Sequence, residues 1–201
     1  MKQLSTRAGM LSKLKKYLPP AKLKLVMEGM FSSKLMYGMS VWSRVWQIPG
    51  SLDEAATTRT SPSITKEDVR KLQVLQNKCL RIVSNSDYKT PTLSLLKKTK
   101  SLSVHQMMAQ LSLSQVYSTF RTELPVYHYD RLFRSNSRTR NVNDFSVNRI
   151  EYKLSQARTN FFYQSSRLWS AIPEYIKSSR NKFIFKKKCK AWVKMNIMVR
   201  P

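Results

Sequence analysis

Apolar residues recur at helical spacing in one stretch of this chain after another, most sharply between Val69 and Val83. There Val69, Leu72, Leu75, Cys79, Leu80, Ile82 and Val83 form one arc at about 100° per residue, and Arg70, Lys71, Lys78 and Arg81 share the opposite side. Such a stretch folds as a helix with one buried and one wet face. The same period joins Leu4, Ala8, Leu11, Leu14 and Leu18, while Lys2, Lys13 and Lys16 point away. Pro19-Pro20 stops that helix, and Pro20 suits the first position of the next. This second helix is expected from Ala21 to about Met39, with Val26, Met27, Met30, Phe31 and Leu35 as its apolar face.

Capping residues mark further starts. Thr65 fits an N-cap, with Glu67 and Asp68 at the positive end of the helix dipole. Thr90-Pro91 opens a short helix through Lys98. Ser103 caps a longer one carrying Val104, Met107, Met108, Leu111, Val116, Tyr117 and Phe120, ended by Pro125. Asn160 to Ala171 is helical up to Pro173. A last helix from about Asn181 puts Phe185, Cys189, Trp192, Val193 and Ile197 on one stripe and Lys187, Lys190 and Lys194 on the far side. The period disappears in residues 48–64, a Pro-, Gly-, Ser- and Thr-rich linker, and in 133–149, an irregular basic loop. Four glycines in 201 residues leave few positive-φ positions for the turns of a sandwich or barrel. The expectation is a mostly α protein: a helical segment over 1–47, the linker, and a larger helical domain over 65–201.

Lys and Arg number 37 against 11 Asp and Glu, a net charge of +26. With 41% apolar residues the chain is a folded body rather than a disordered basic tail. That charge points to a polyanion, nucleic acid ahead of anionic membrane or heparin-like polymers. One lysine cluster on a helix is a solvated face; three helices divided the same way suggest a binding surface. Trp42, Trp46, Trp169 and Trp192 lie at core-like spacing, which favours packing over base stacking.

The chemistry of a complete enzyme is missing from the pattern. There is no Asp-Asp pair to hold two Mg²⁺, and no glycine-rich phosphate loop. His105 and His128 sit on helical faces without a visible nucleophile, so both are expected to pack. Cys79 and Cys189 are expected as buried free thiols of a reducing compartment, and four clustered zinc ligands are lacking. No signal-like stretch and no window of about 18 uncharged apolar residues appear, so an intracellular location is expected.

Four strings then carry a resemblance. Gly9 to Trp42 (GMLSKLKKYLPPAKLKLVMEGMFSSKLMYGMSVW) resembles the segment after the polymerase palm in reverse transcriptases of non-LTR, LINE-type, jockey-like retrotransposons. Lys71 to Gln106, with its Leu-Gln-x-x-Gln-Asn core and Thr-Pro-Thr, resembles the next block of that family. Phe161 to Ser179 and Phe185 to Val193 resemble its closing block. The resemblance implies a thumb-like segment over 1–47 and a C-terminal helical domain that together grip a template–primer duplex of RNA and DNA, in the nucleus. It implies backbone contacts from Lys13, Lys15, Lys16, Lys22 and Lys24. Arg70, Lys71, Lys78 and Arg81 are candidates on both grounds, and Lys187, Lys190 and Lys194 on charge alone. The family's Tyr-x-Asp-Asp motif and further palm Asp are absent, so the chain alone is expected not to polymerise. It is expected to hold no cofactor, although the whole family enzyme uses Mg²⁺. The rival expectations are a stand-alone nucleic-acid-binding or structural protein derived from such an element and, more remotely, a small hydrolase or transferase.

Overall fold

The computed structural model describes residues 2–37, 39, 66–133, 145–148 and 160–197. The linker at 48–64, Thr65, Trp42 and Trp46, and most of the 133–149 loop lie outside them. Every regular element among the described residues is helical. The helices are α1 (Lys2–Leu14), α2 (Pro20–Met27), α3 (Ser33–Met36), α4 (Lys66–Ser84), α5 (Thr92–Thr99), α6 (Val104–Thr122), α7 (Val126–Leu132), α8 (Phe161–Ala171), α9 (Glu174–Lys177) and α10 (Lys182–Asn196).

These residues fall into two compact units. One takes in the described residues up to Met39 and from 66 to Met107; the other runs from Met108 to Ile197. The division expected at the linker placed α4 and α5 in the C-terminal domain. Contacts group them with α1 and α2 instead, because α4 packs on α1, α2 and α5.

In the first unit, Leu4, Ala8 and Leu11 bury the stripe of α1. The second helix buries Leu23, Met27, Phe31, Leu35 and Met39, while Val26 and Met30 are only half-buried. A strict four-residue repeat overshoots a 3.6-residue turn by about 40° each time. A π turn over Glu28–Ser32 joins α2 to α3, and its wider turn brings the repeat back onto one face. Arg7 bonds the Met30 carbonyl from α1.

The α4 helix buries Leu72, Cys79, Leu80 and Val83 as the period demands, and leaves Leu75 half-buried. It also buries Gln76 and Asn77, which apolar periodicity does not mark. The Gln73 Nε2 donates to Gln76 Oε1 and to Asn77 Oδ1, each at 2.9 Å. Gln76 Nε2 donates to the Leu102 carbonyl at 2.8 Å, and Asn77 Nδ2 to Thr92 Oγ1 at 2.8 Å. Gln73 Oε1 accepts the Val104 N–H, the first of α6, at 2.9 Å. Ser103 and Gln106 complete that helix start as a capping box, with bonds of 3.2 and 3.1 Å. The Leu-Gln-x-x-Gln-Asn and Thr-Pro-Thr strings thus meet in one hydrogen-bonded junction.

The second unit is an aromatic core. Tyr117 stacks on Phe185 at 4.2 Å between centroids, and Trp169 lies beside Phe185 and Phe120 at 6.0 and 6.2 Å. The Trp169 indole donates to the Phe145 carbonyl at 2.9 Å. Trp169 and Trp192 are both buried. Asn160 and Asn181 cap α8 and α10 through their side chains, at Phe162 and Ile184 N–H.

Four helices begin directly after a proline in extended geometry, Pro19, Pro91, Pro125 and Pro173, with ψ between 143° and 155°. Pro125 and Pro173, expected only to end helices, each open one as well; α7 and α9 follow from that. Proline fixes a φ that suits the residue before a helix and has no N–H to leave unpaired.

The Gln73 junction yields a stability prediction. Gln73→Ala leaves the Val104 N–H and the Gln76 and Asn77 carbonyl oxygens short of a partner, so unfolding in urea should show a loss of about 2 kcal/mol or more. A loss under about 0.5 kcal/mol would mean that the junction contributes no net stability.

Candidate nucleic-acid interface

The first unit presents most of the expected contact residues on its surface. Lys13 ends α1, Lys15 and Lys16 follow in the turn, and Lys22 starts α2; all four are exposed and make no ion pair among the described residues. Tyr17 stands among them with its ring 82% exposed. Lys24 differs: it is half-buried and pairs with Glu28 at 3.7 Å, one turn along the helix.

On α4, Lys71 and Lys78 are exposed and make no ion pair among the described residues. Arg70 is exposed but sits 3.8 Å from Glu67, an i,i+3 surface pair worth well under about 1 kcal/mol. Arg81 stands apart from these. Its guanidinium donates to the Thr90 carbonyl at 3.1 Å and lies over the Tyr88 ring at 5.4 Å, with Nε buried and unpaired. It pins the connection between α4 and α5 rather than facing solvent. Lys98 reinforces the same turn by donating to the Ser84 carbonyl at 2.8 Å, a cation at a helix C-terminus.

In the second unit, Lys187, Lys190 and Lys194 lie exposed on α10, opposite Phe185, Cys189, Trp192 and Val193. Neighbouring cations are anchored. Lys188 bonds the Tyr175 carbonyl at 2.9 Å, and Arg121 bonds the Ser179 carbonyl at 2.6 Å. Lys177 is buried over the Trp169 ring, and burial lowers its pKa against the opposing pull of Glu174.

Three further titratable groups, Cys79, Cys189 and His128, are packed. Burial pushes the Cys79 thiol up to about 12, against the Lys78 ammonium, and burial alone does the same to Cys189. Both are free thiols, held protonated and unreactive near neutral pH. His128 stacks on Phe161 at 5.7 Å and meets Phe162 edge-on at 5.1 Å, and burial lowers its pKa. Among the described residues no three His, Cys, Asp or Glu side chains gather where they could hold a metal ion. No helix among them is long and apolar enough to cross a membrane.

No family model, curated protein or solved structure matches this chain.

The geometry separates cations that are free for a ligand from those the fold already uses. Changing Arg70, Lys71 and Lys78 together to Gln should leave thermal unfolding within about 0.5 kcal/mol of the parent. The sequence alone sets Arg81 beside them as an equivalent member of one polar arc. The structure reverses this, since Arg81→Gln loses a bond to a backbone carbonyl and a ring contact, and should cost about 1–2 kcal/mol.

Proposed function

We propose that the chain grips nucleic acid through the exposed lysines of the α1–α2 corner and of α4, as the non-catalytic thumb and C-terminal part of a retrotransposon reverse transcriptase. The observation carrying this reading is that Lys13, Lys15, Lys16, Lys22, Lys71 and Lys78 belong to one compact unit, are exposed, and make no ion pair among the described residues. Unneutralised ammonium groups in solvent hold a positive potential that phosphate relieves by releasing counterions. The exposed Tyr17 ring amid those lysines adds a face on which a base can stack. Parentage rests on the order of the four resembling strings. In-frame sequence upstream encoding paired aspartates would support it, whereas a clean promoter and start codon would support a stand-alone binding protein.

Two measurements test the function. Log affinity for an RNA–DNA duplex should fall with log salt at a slope near −0.9 per phosphate contacted, with about five to eight contacts. An affinity unchanged between low and moderate salt refutes phosphate gripping. With primer–template, Mg²⁺ and nucleotides, the purified chain should extend nothing, for want of a carboxylate pair to hold the metals. Extension that one acidic substitution abolishes would reveal a polymerase site in this chain.

A further inference from the structure

The second unit holds a cleft of about 270 Å³ between α6 and α10 that none of the preceding roles uses. Ser114, Gln115, Ser118 and Thr119 line it from α6, and Lys182 and Lys186 from α10. Leu124 and Pro125 form an apolar rim. Among the described residues no carboxylate lines it. The two lysines stand one helical turn apart, as do Ser114 and Ser118, so α10 lines the cleft with two lysines and α6 with two hydroxyl-bearing side chains. Lys182 already donates to Ser118 Oγ at 3.1 Å, which holds one ammonium at the wall.

Ser114 is the telling residue. A serine or threonine inside a helix ordinarily returns its hydroxyl to the carbonyl four residues back. Thr122 does so to Ser118 at 2.9 Å, and Ser170 to Ser166 at 2.9 Å. Ser114 is only 4% exposed, yet its Oγ has no hydrogen-bond partner among the described residues. A buried hydroxyl left unpaired costs free energy that a ligand acceptor recovers.

The geometry points to a phosphomonoester site, in which Lys182 and Lys186 neutralise the dianion and the Ser114 and Ser118 hydroxyls donate to its oxygens. Hydroxyl and ammonium donors without an acid suit an anion rather than a cation or an apolar ligand. The cleft opens to solvent, and its Leu124–Pro125 rim gives the sugar or base that carries the phosphate an apolar seat. A terminal phosphate carries close to two charges at neutral pH where an internal phosphodiester carries one, so two lysines without an acid favour the terminal group. It belongs either to the end of a nucleic-acid strand, which rests on the function proposed above, or to a free mononucleotide, which does not.

The test uses the full chain with a 3′-labelled single-stranded oligonucleotide bearing a 5′-phosphate or a 5′-hydroxyl, and separately with AMP followed by ³¹P line broadening. A strand-end site should bind the phosphorylated strand about five- to tenfold tighter. Lys182→Gln with Lys186→Gln should erase that preference, while Lys71→Gln with Lys78→Gln should weaken both strands and preserve it. AMP broadening that the Lys182/Lys186 variant loses, without any end preference, assigns the site to free mononucleotides. Ser114→Ala should weaken whichever binding is seen without lowering the thermal midpoint, since it removes an unpaired hydroxyl. Equal affinity for the two strands together with no AMP broadening overturns the proposal. If neither strand binds, the gripping function fails, and the AMP measurement still decides the cleft.

Discussion

Gln73 holds the first unit in register. One side-chain amide satisfies Gln76, Asn77 and the first N–H of α6, and those two partners reach Leu102 and Thr92 in turn. Apolar packing alone tolerates some rotation of a helix about its axis, because a neighbouring methyl fills much the same space. An amide network does not, since a small rotation strands several buried polar groups at once. The seating of α4 is therefore unique, and the outward direction of Arg70, Lys71 and Lys78 follows from it.

The excess of positive charge shapes the remainder of the fold. With 11 acids for 37 cations, ion pairs cannot neutralise the chain. The fold instead gives several cations backbone carbonyls and aromatic rings: Arg81 at Thr90 and Tyr88, Arg121 at Ser179, Lys98 at Ser84, Lys177 over Trp169. Most of these sites lie at helix C-terminal ends and the turns after them, where unpaired carbonyls gather and the dipole is negative. Cations in mid-helix on the polar arc, such as Lys71 and Lys78, have no such acceptor within reach and stay in solvent. Position along the helix thus sorts structural cations from available ones.

Much of this was legible in the sequence. The apolar stripes of α1, α4 and α10 and the starts at Ser103, Asn160 and Asn181 follow from period and capping chemistry, which act within one turn. What escaped depends on contacts far apart in the chain. Periodicity scores only apolar residues, so it does not mark Gln76 and Asn77, whose partners lie 26 and 15 residues on. Arg81 lies on the same polar arc as Lys78, and only the path of the chain through Tyr88 and Thr90 distinguishes them. Pro125 and Pro173 read as stops because proline's missing N–H breaks a helix behind it, while the same property opens the one ahead. Composition marks a linker at 48–64 but says nothing of which helices pack together, so α4 and α5 were assigned to the wrong partners. The cleft at Ser114 was invisible because its two walls are more than 60 residues apart in sequence.

Charge and stability are coupled in a chain of this kind. The cores give each unit its favourable burial, yet every unneutralised ammonium raises the potential felt by the others and works against compaction. The left-handed caps at Asn85, Lys100 and Glu123 add a further cost, because residues with side chains occupy positions that glycine fills without strain. Such a molecule gains more than an electrically balanced one from any ligand that brings negative charge to its surface in the folded state. By linkage, that gain appears as added resistance to unfolding that grows with ligand concentration and shrinks with salt. The same ammonium groups that weaken the free fold are then the ones through which a polyanion stabilises it.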